Sequence, residues 1–166
     1  MTQARQPALF AGTGVEDTPE GRSEMIILHL FLVLERLGGE GPPGTRLGRL
    51  TAEAFVTDVD DSLREMGVGD LAVPRKVKRA AAGLYQRCHG YRLALEAGAD
   101  LKLAAELARS VPGLGAGSQE ALRLASYVRR SKEHLERLAP AQMLAGRVTF
   151  PAADAIVSRA CDKGVP

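Results

Sequence analysis

Tryptophan is absent from this chain and aromatic residues make up only 4% of it, although apolar residues reach 45%. Leu, Ala and Val must therefore fill any core, and that palette suits helices better than the β-branched and aromatic strands of a sheet. Cysteine is nearly absent too. Cys88 and Cys161 stand alone, neither in a CxxC pair, which leaves no disulfide framework and no zinc pattern and fits a reducing compartment. Charge of one sign is scarce: the net charge is +2, so the overall field does not call for nucleic acid, and any polyanion must be met by a local patch. Long apolar runs are missing as well. The longest, residues 25–28 and, after His29, 30–34, is about half of what a membrane-spanning helix needs. The opening residues carry Arg5 but also Glu16, Asp17 and Glu20, with no uninterrupted apolar core, so neither a secretory signal nor a transit peptide fits.

What is present reads as helices. A chain of 166 residues is most simply one domain that buries roughly 70% of its unfolded surface. Residues 1–17, with Pro7, Gly12 and Gly14, predict an irregular arm anchored by Leu9 and Phe10. Thr18 as N-cap and Pro19 at the first helical position start a helix to about residue 37, closed by Gly38 and Gly39. It is apolar almost all round between Met25 and Leu34, so it is either a central helix or one whose second apolar face docks a partner. His29 reads as a hydrogen-bonded core or boundary residue. After a loop at 39–44, a helix to Met66 carries Ala52, Val56, Val59, Leu63 and Met66 on one face, broadened by Phe55. The next has Val77, Ala81, Leu84, Cys88, Tyr91 and Leu95 at the same spacing, with Tyr85 also assigned to the core. A shorter helix capped by Asp100 turns Leu101, Ala104, Leu107, Ala108 and Val111 inward, and a long one capped by Ser118 buries Leu124, Val128, Leu135 and Leu138. The signals weaken in 140–166, where short helices are expected at 141–147 and 151–161; residues 148–150 alone suggest a strand, with nothing to pair with. The result is an all-α, single-domain bundle of about five to six helices, with main bundle 18–139.

The charge pattern centres on a hairpin. Between Glu53 and Asp70 six acids face the single base Arg64, whereas between Pro74 and Leu95 there are six bases and no acid. Gly67 closes the first helix and Pro74 opens the next, so an antiparallel return is expected to bring Glu65 near Arg75, and Asp61 near Lys78 and Arg79. Asp58, Asp61 and Glu65 share a helical face and invite a metal reading, but a calcium loop would need glycine at Leu63 and a magnesium pair a second acidic cluster. His29, His89 and His134 fall on three separate helices, and no nucleophile elbow, P-loop or dinucleotide fingerprint occurs. Neither a catalytic constellation nor a cofactor site is expected. Arg75, Lys76, Lys78, Arg79, Arg87 and Arg92, with a second cluster of Arg129, Arg130, Lys132 and Arg137, either answer neighbouring acids or form an anion-binding face.

The stretch Phe55-Val56-Thr57-Asp58-Val59-Asp60-Asp61-Ser62-Leu63-Arg64-Glu65-Met66-Gly67-Val68-Gly69-Asp70, continuing through Val73-Pro74-Arg75-Lys76-Val77-Lys78 to Tyr85, resembles the signature of the ubiquinol-cytochrome c chaperone family. Ala4-Arg5-Gln6-Pro7, the segment from Gly14 to Arg22, and Met25-Ile26-Ile27-Leu28-His29-Leu30 are similar to that family's first half. The resemblance covers most of the chain to about Leu95 and continues beyond Ala99 only as a pattern. It implies a non-catalytic assembly factor for the respiratory cytochrome bc1 complex. The partners it implies are cytochrome b or its nascent chain, the ribosome surface and a small partner protein. The expected location is the bacterial cytoplasm, with peripheral contact at the inner membrane, and no DNA is expected as partner. Partner-binding residues are expected at Asp58, Asp61, Arg64, Glu65, Asp70, Arg75, Lys76, Lys78 and Arg79, and an apolar partner face at Ile26, Ile27, Leu30 and Phe31. Two alternatives stand beside this: a small metal-dependent enzyme using Asp58, Asp61 and Glu65, and a permanent structural subunit. Two departures from the family pattern are the helix that relatives carry before the Ala-Arg-x-Pro segment and Ser23 at a position expected to be large.

Overall fold

Thr18 accepts a hydrogen bond from the Gly21 amide through its side chain, and Pro19 follows in the first turn, so the central helix begins where its capping residues place it. The structure, a computed structural model, describes residues 2–153. A short 3-10 turn, Gln3–Arg5, precedes α1 (Pro7–Thr13), α2 (Pro19–Gly38), α3 (Gly41–Glu65), α4 (Val73–Glu96), α5 (Asp100–Ser110), α6 (Gln119–Arg137) and α7 (Pro140–Leu144). No strand occurs among the described residues; residues 148–150 run without regular structure. Cys161 and most of the expected helix at 151–161 lie outside the described residues.

The all-round apolarity of α2 is explained by its position, since α3, α4, α6 and the 3-10 turn all pack on it. Met25, Leu28, Phe31 and Leu32 are buried in one core with Leu103, Leu107, Leu124 and Val128 of α5 and α6. Phe31 meets Tyr91 of α4 edge to face at 5.4 Å between ring centroids within that core. Polar ties lock α4 to α2: Arg87 chelates the buried Glu24 and Arg92 chelates Glu35. At the far end, Arg36 donates to the Leu135 and Leu138 carbonyls at 2.9 and 3.0 Å and so caps the end of α6.

Several expectations give way here. The N-terminal arm is not irregular; it forms the 3-10 turn and α1, which buries Leu9 against the core. The expected loop at 39–44 shrinks to a turn at 39–40, and 41–44 form the first turn of α3, because Pro42 and Pro43 fit the start of a helix that has no N–H partners there. Gly44 permits this tight join, since a Cβ on it would stand 2.2 Å from the Leu37 carbonyl oxygen. Asp100 lies in the first turn of α5 and does not cap it through its side chain.

Burial departs most along the hairpin. Gly44 is the one buried residue of α3, its apolar stripe is otherwise half-buried, and Met66 is 71% exposed. Tyr85 is 69% and Leu101 65% exposed, whereas Leu103 takes the inward place on α5. For the end of α3 and the turn after it the reason is length. Fourteen residues of α4 precede Arg87 but only five of α2 precede its partner Glu24, so the hairpin overruns the start of α2 by roughly 13 Å.

Candidate functional site

On α2, Ile26, Leu30 and Val33 step four and three residues along one face, while Ile27 and Phe31 point to another and are buried. Opposite the first face, α3 presents Thr51, Ala54, Phe55 and Asp58. The segment after α7 adds Val148 and Phe150, and the 3-10 turn adds Gln3. These walls enclose an open groove of about 610 Å³ whose lining is mainly aliphatic and aromatic, with the Asp58 carboxylate among its polar groups. That volume lies in the range of a ligand-sized cleft and suits one or two large apolar side chains of a bound segment.

A hydrogen-bonded relay underlies the groove. His29 donates from Nδ1 to the Met25 carbonyl at 2.7 Å, which leaves Nε2 as an acceptor for the Tyr127 hydroxyl, also at 2.7 Å. Gln3 donates from its amide to the Tyr127 hydroxyl and to the Pro151 carbonyl, each at 3.1 Å. Phe150 sets its ring against His29 at 5.0 Å. The relay thus ties the 3-10 turn, α2, α6 and residues 150–151 together. Burial holds the imidazole neutral, pushing its pKa down to about 4. Burial likewise raises the Tyr127 hydroxyl above its usual range. Both shifts favour the neutral forms of the two groups near neutrality.

A larger cavity, about 790 Å³, runs between α4 and α5 past Leu93, Ala94 and Ala97. Its rim is charged: Arg87 is already tied to Glu24, and Arg109 pairs with Glu106 at 3.1 Å. Covering it with an apolar segment would take those ions out of water, which disfavours it against the groove on α2.

Of the apolar face expected on α2, Ile26 and Leu30 line the groove, whereas Ile27 and Phe31 are buried away from it. The sequence missed Val33, Val148, Phe150 and Gln3; only Val33 had a signal, as the next step of the 26, 30 spacing. Asp58 joins the groove, while Asp61, Arg64, Glu65 and Asp70 lie on the outer hairpin. The expected pairs across the hairpin, Glu65 with Arg75 and Asp61 with Lys78 and Arg79, do not form. Arg64 instead holds Asp60, one helical turn back, at 2.6 Å, and Asp70, in the connection after α3, at 3.0 Å. Among the described residues, Arg75, Lys76, Lys78 and Arg79 make no ion pair, and no three His, Cys, Asp or Glu stand close enough to hold a metal. The half-buried Cys88 packs on the core as its spacing required, and burial pushes its thiol up to about 11, away from reactivity.

The sequence model described as Ubiquinol-cytochrome C chaperone matches residues 12–150. The crystal structure of the Cbp3 homolog from Brucella abortus is similar, with 37% sequence identity, a TM-score of 0.82, and coverage of 92% of this chain and 84% of that one. No curated protein matches.

Proposed function

Since the chain belongs to the ubiquinol-cytochrome C chaperone family, we propose that it is a holding chaperone for assembly of the respiratory ubiquinol-cytochrome c reductase, and that its groove on α2 receives an apolar stretch of newly made cytochrome b. The observation that carries this reading is the groove itself: Ile26, Leu30 and Val33 of the otherwise walled-in central helix face Phe55 and Phe150 across open space. An apolar client segment laid there would cover side chains that water now meets, in the manner of a helix in a groove. Asp58 beside it suits a client whose apolar stretch is followed by a cation. Among the described residues no helix is long and apolar enough to cross a membrane. A ribosome surface and a small partner protein are further partners in this reading.

The test is complementation of a deletion strain. Ala54 lines the groove from an exposed position on α3, so Ala54→Glu introduces a charge there without disturbing the core. Haem b difference spectra and immunoblots of cytochrome b are expected to fall with Ala54→Glu, at unchanged abundance of the chaperone, and to remain normal with Leu93→Glu in the other cavity. Full cytochrome b with the groove blocked would refute the groove assignment, and full cytochrome b in the deletion strain would refute the function.

A further inference from the structure

We propose that the outer end of the α3–α4 hairpin docks on an anionic lipid surface, with Leu71 and Met66 entering the headgroup layer and the cations that open α4 engaging the headgroups. This goes beyond the groove and uses none of its residues, so it stands or falls separately.

The turn between α3 and α4 carries two large apolar side chains outward. Leu71 is 100% exposed and Met66, at the other end of the same turn, is 71% exposed. Isolated exposed apolar residues are ordinary, but two large ones share this turn at the part of the hairpin that overruns α2, where no packing requires them. The turn is built firmly enough to present them: Gly67 adopts φ +74°, Val68 donates to the Leu63 carbonyl at 3.0 Å, and Ala72 donates to the Gly69 carbonyl at 2.8 Å. Val73, next to them, is fully buried and fixes the start of α4.

Charge decides the kind of surface. Residues 64–79 contain five cations and two anions. Arg64 is shared between Asp60 at 2.6 Å and Asp70 at 3.0 Å, so the unpaired positive charge lies in Arg75, Lys76, Lys78 and Arg79 in the first turns of α4, which make no ion pair among the described residues. Apolar side chains at a tip with cations just behind them match the layering of a bilayer interface: acyl boundary first, anionic headgroups next. A nucleic-acid backbone would use the cations but give Leu71 and Met66 nothing to contact except water and sugar, and the turn offers no aromatic platform for bases. Neither signal alone anchors a protein stably; an apolar insertion and a basic patch together do.

Because the chain has no tryptophan, Leu71→Trp gives a single reporter at the turn, and the full-length protein serves as its own scaffold. Vesicles of phosphatidylcholine containing phosphatidylglycerol are expected to sediment the protein and to shift that emission to the blue, whereas phosphatidylcholine alone does neither. Lys76→Glu and Arg79→Glu are expected to weaken anionic-vesicle binding, about fivefold for each cation lost, and Leu71→Asp to abolish the sedimentation. Leu71, Lys76, Arg79 and Ala54 are all exposed, so loss of folding is not a competing explanation, and Ala54→Glu is expected to leave vesicle binding unchanged. Sedimentation without a blue shift, or binding untouched by Leu71→Asp, would overturn the insertion. Absence of binding to anionic vesicles, with tight binding to a short RNA that Leu71→Asp leaves intact, would assign the cations to a polyanion instead.

Discussion

Glu24 is buried on the central helix, and Arg87, reaching over from α4, is its ion-pair partner. Burial pulls the carboxyl above its ordinary range while the guanidinium pulls it back down, so the charge on Glu24 is kept by that one contact. Arg87→Ala is expected to destabilise the protein by about 3 kcal/mol, because a carboxylate remains buried without a partner. The double variant Glu24→Met with Arg87→Met should lose much less, as an apolar pair replaces both ions; urea denaturation of the three proteins distinguishes the cases, and equal losses would mean that the pair acts only through packing. The arginine was visible in the sequence as part of a basic run, but its partner was not. Proximity in the hairpin suggested α3, and the acid that Arg87 meets is 63 positions away on α2. Side chains this long choose among acids by tertiary distance, which periodicity does not encode. Tyr85 and Leu101 were misplaced inward for a related reason: spacing tells which residues share a helical face, and only a neighbouring helix turns that face into an interior.

At the scale of the elements, the joins between helices carry more constraint than the helices do. Gly44 sits where α3 turns back on the end of α2, and a methyl group there would overlap the Leu37 carbonyl and the Glu40 side chain. Gly44→Ala is expected to lower stability by about 2 kcal/mol, as the backbone of one helix must shift, and to change hydrogen exchange chiefly at 37–48. Gly48→Ala, whose added carbon would make only ordinary contacts with Leu34 and Leu37, is the control and should be neutral or slightly stabilising. Helix existence was legible from spacing and caps: Thr18 and Ser118 cap α2 and α6 through their side chains, and the glycine turn after Met66 ends α3. The start of α3 was not, because a Pro-Pro-Gly segment reads equally as a loop or as a first turn until the preceding helix is in place against it.

For the molecule as a whole, the relay through His29 links segments from both ends of the described chain to α2 and α6. His29 has a folded pKa of about 4 against an ordinary value of 6.5, so the fold favours the neutral ring. That contribution is complete above pH 6.5, falls as the unfolded chain takes up a proton that the folded chain refuses, and is spent near pH 4. Between pH 7 and pH 5 the expected loss is about 2 kcal/mol. Denaturation midpoints at the two pH values measure it, and His29→Gln should remove that part of the slope; an unchanged slope would place the acid sensitivity elsewhere. Because Phe150 and Gln3 line the groove and also belong to the relay, the same acidification is expected to loosen one wall of the groove first.

The sequence by itself determined the all-helical class, the positions of the main helices and their caps, the hairpin with its reversal of charge, and the family. These are local properties, written in spacing, capping residues and a long contiguous motif. Tertiary structure alone decided which face of α2 remains open, since Ile26, Ile27, Leu30 and Phe31 are equally apolar and only the placement of α3, α4 and residues 146–150 separates groove from core. It also decided that the acids of α3 and the bases opening α4 do not answer one another and that Leu71 meets water. Each of these outcomes depends on where one helix stops relative to its neighbour, a distance set by packing between residues far apart in the chain.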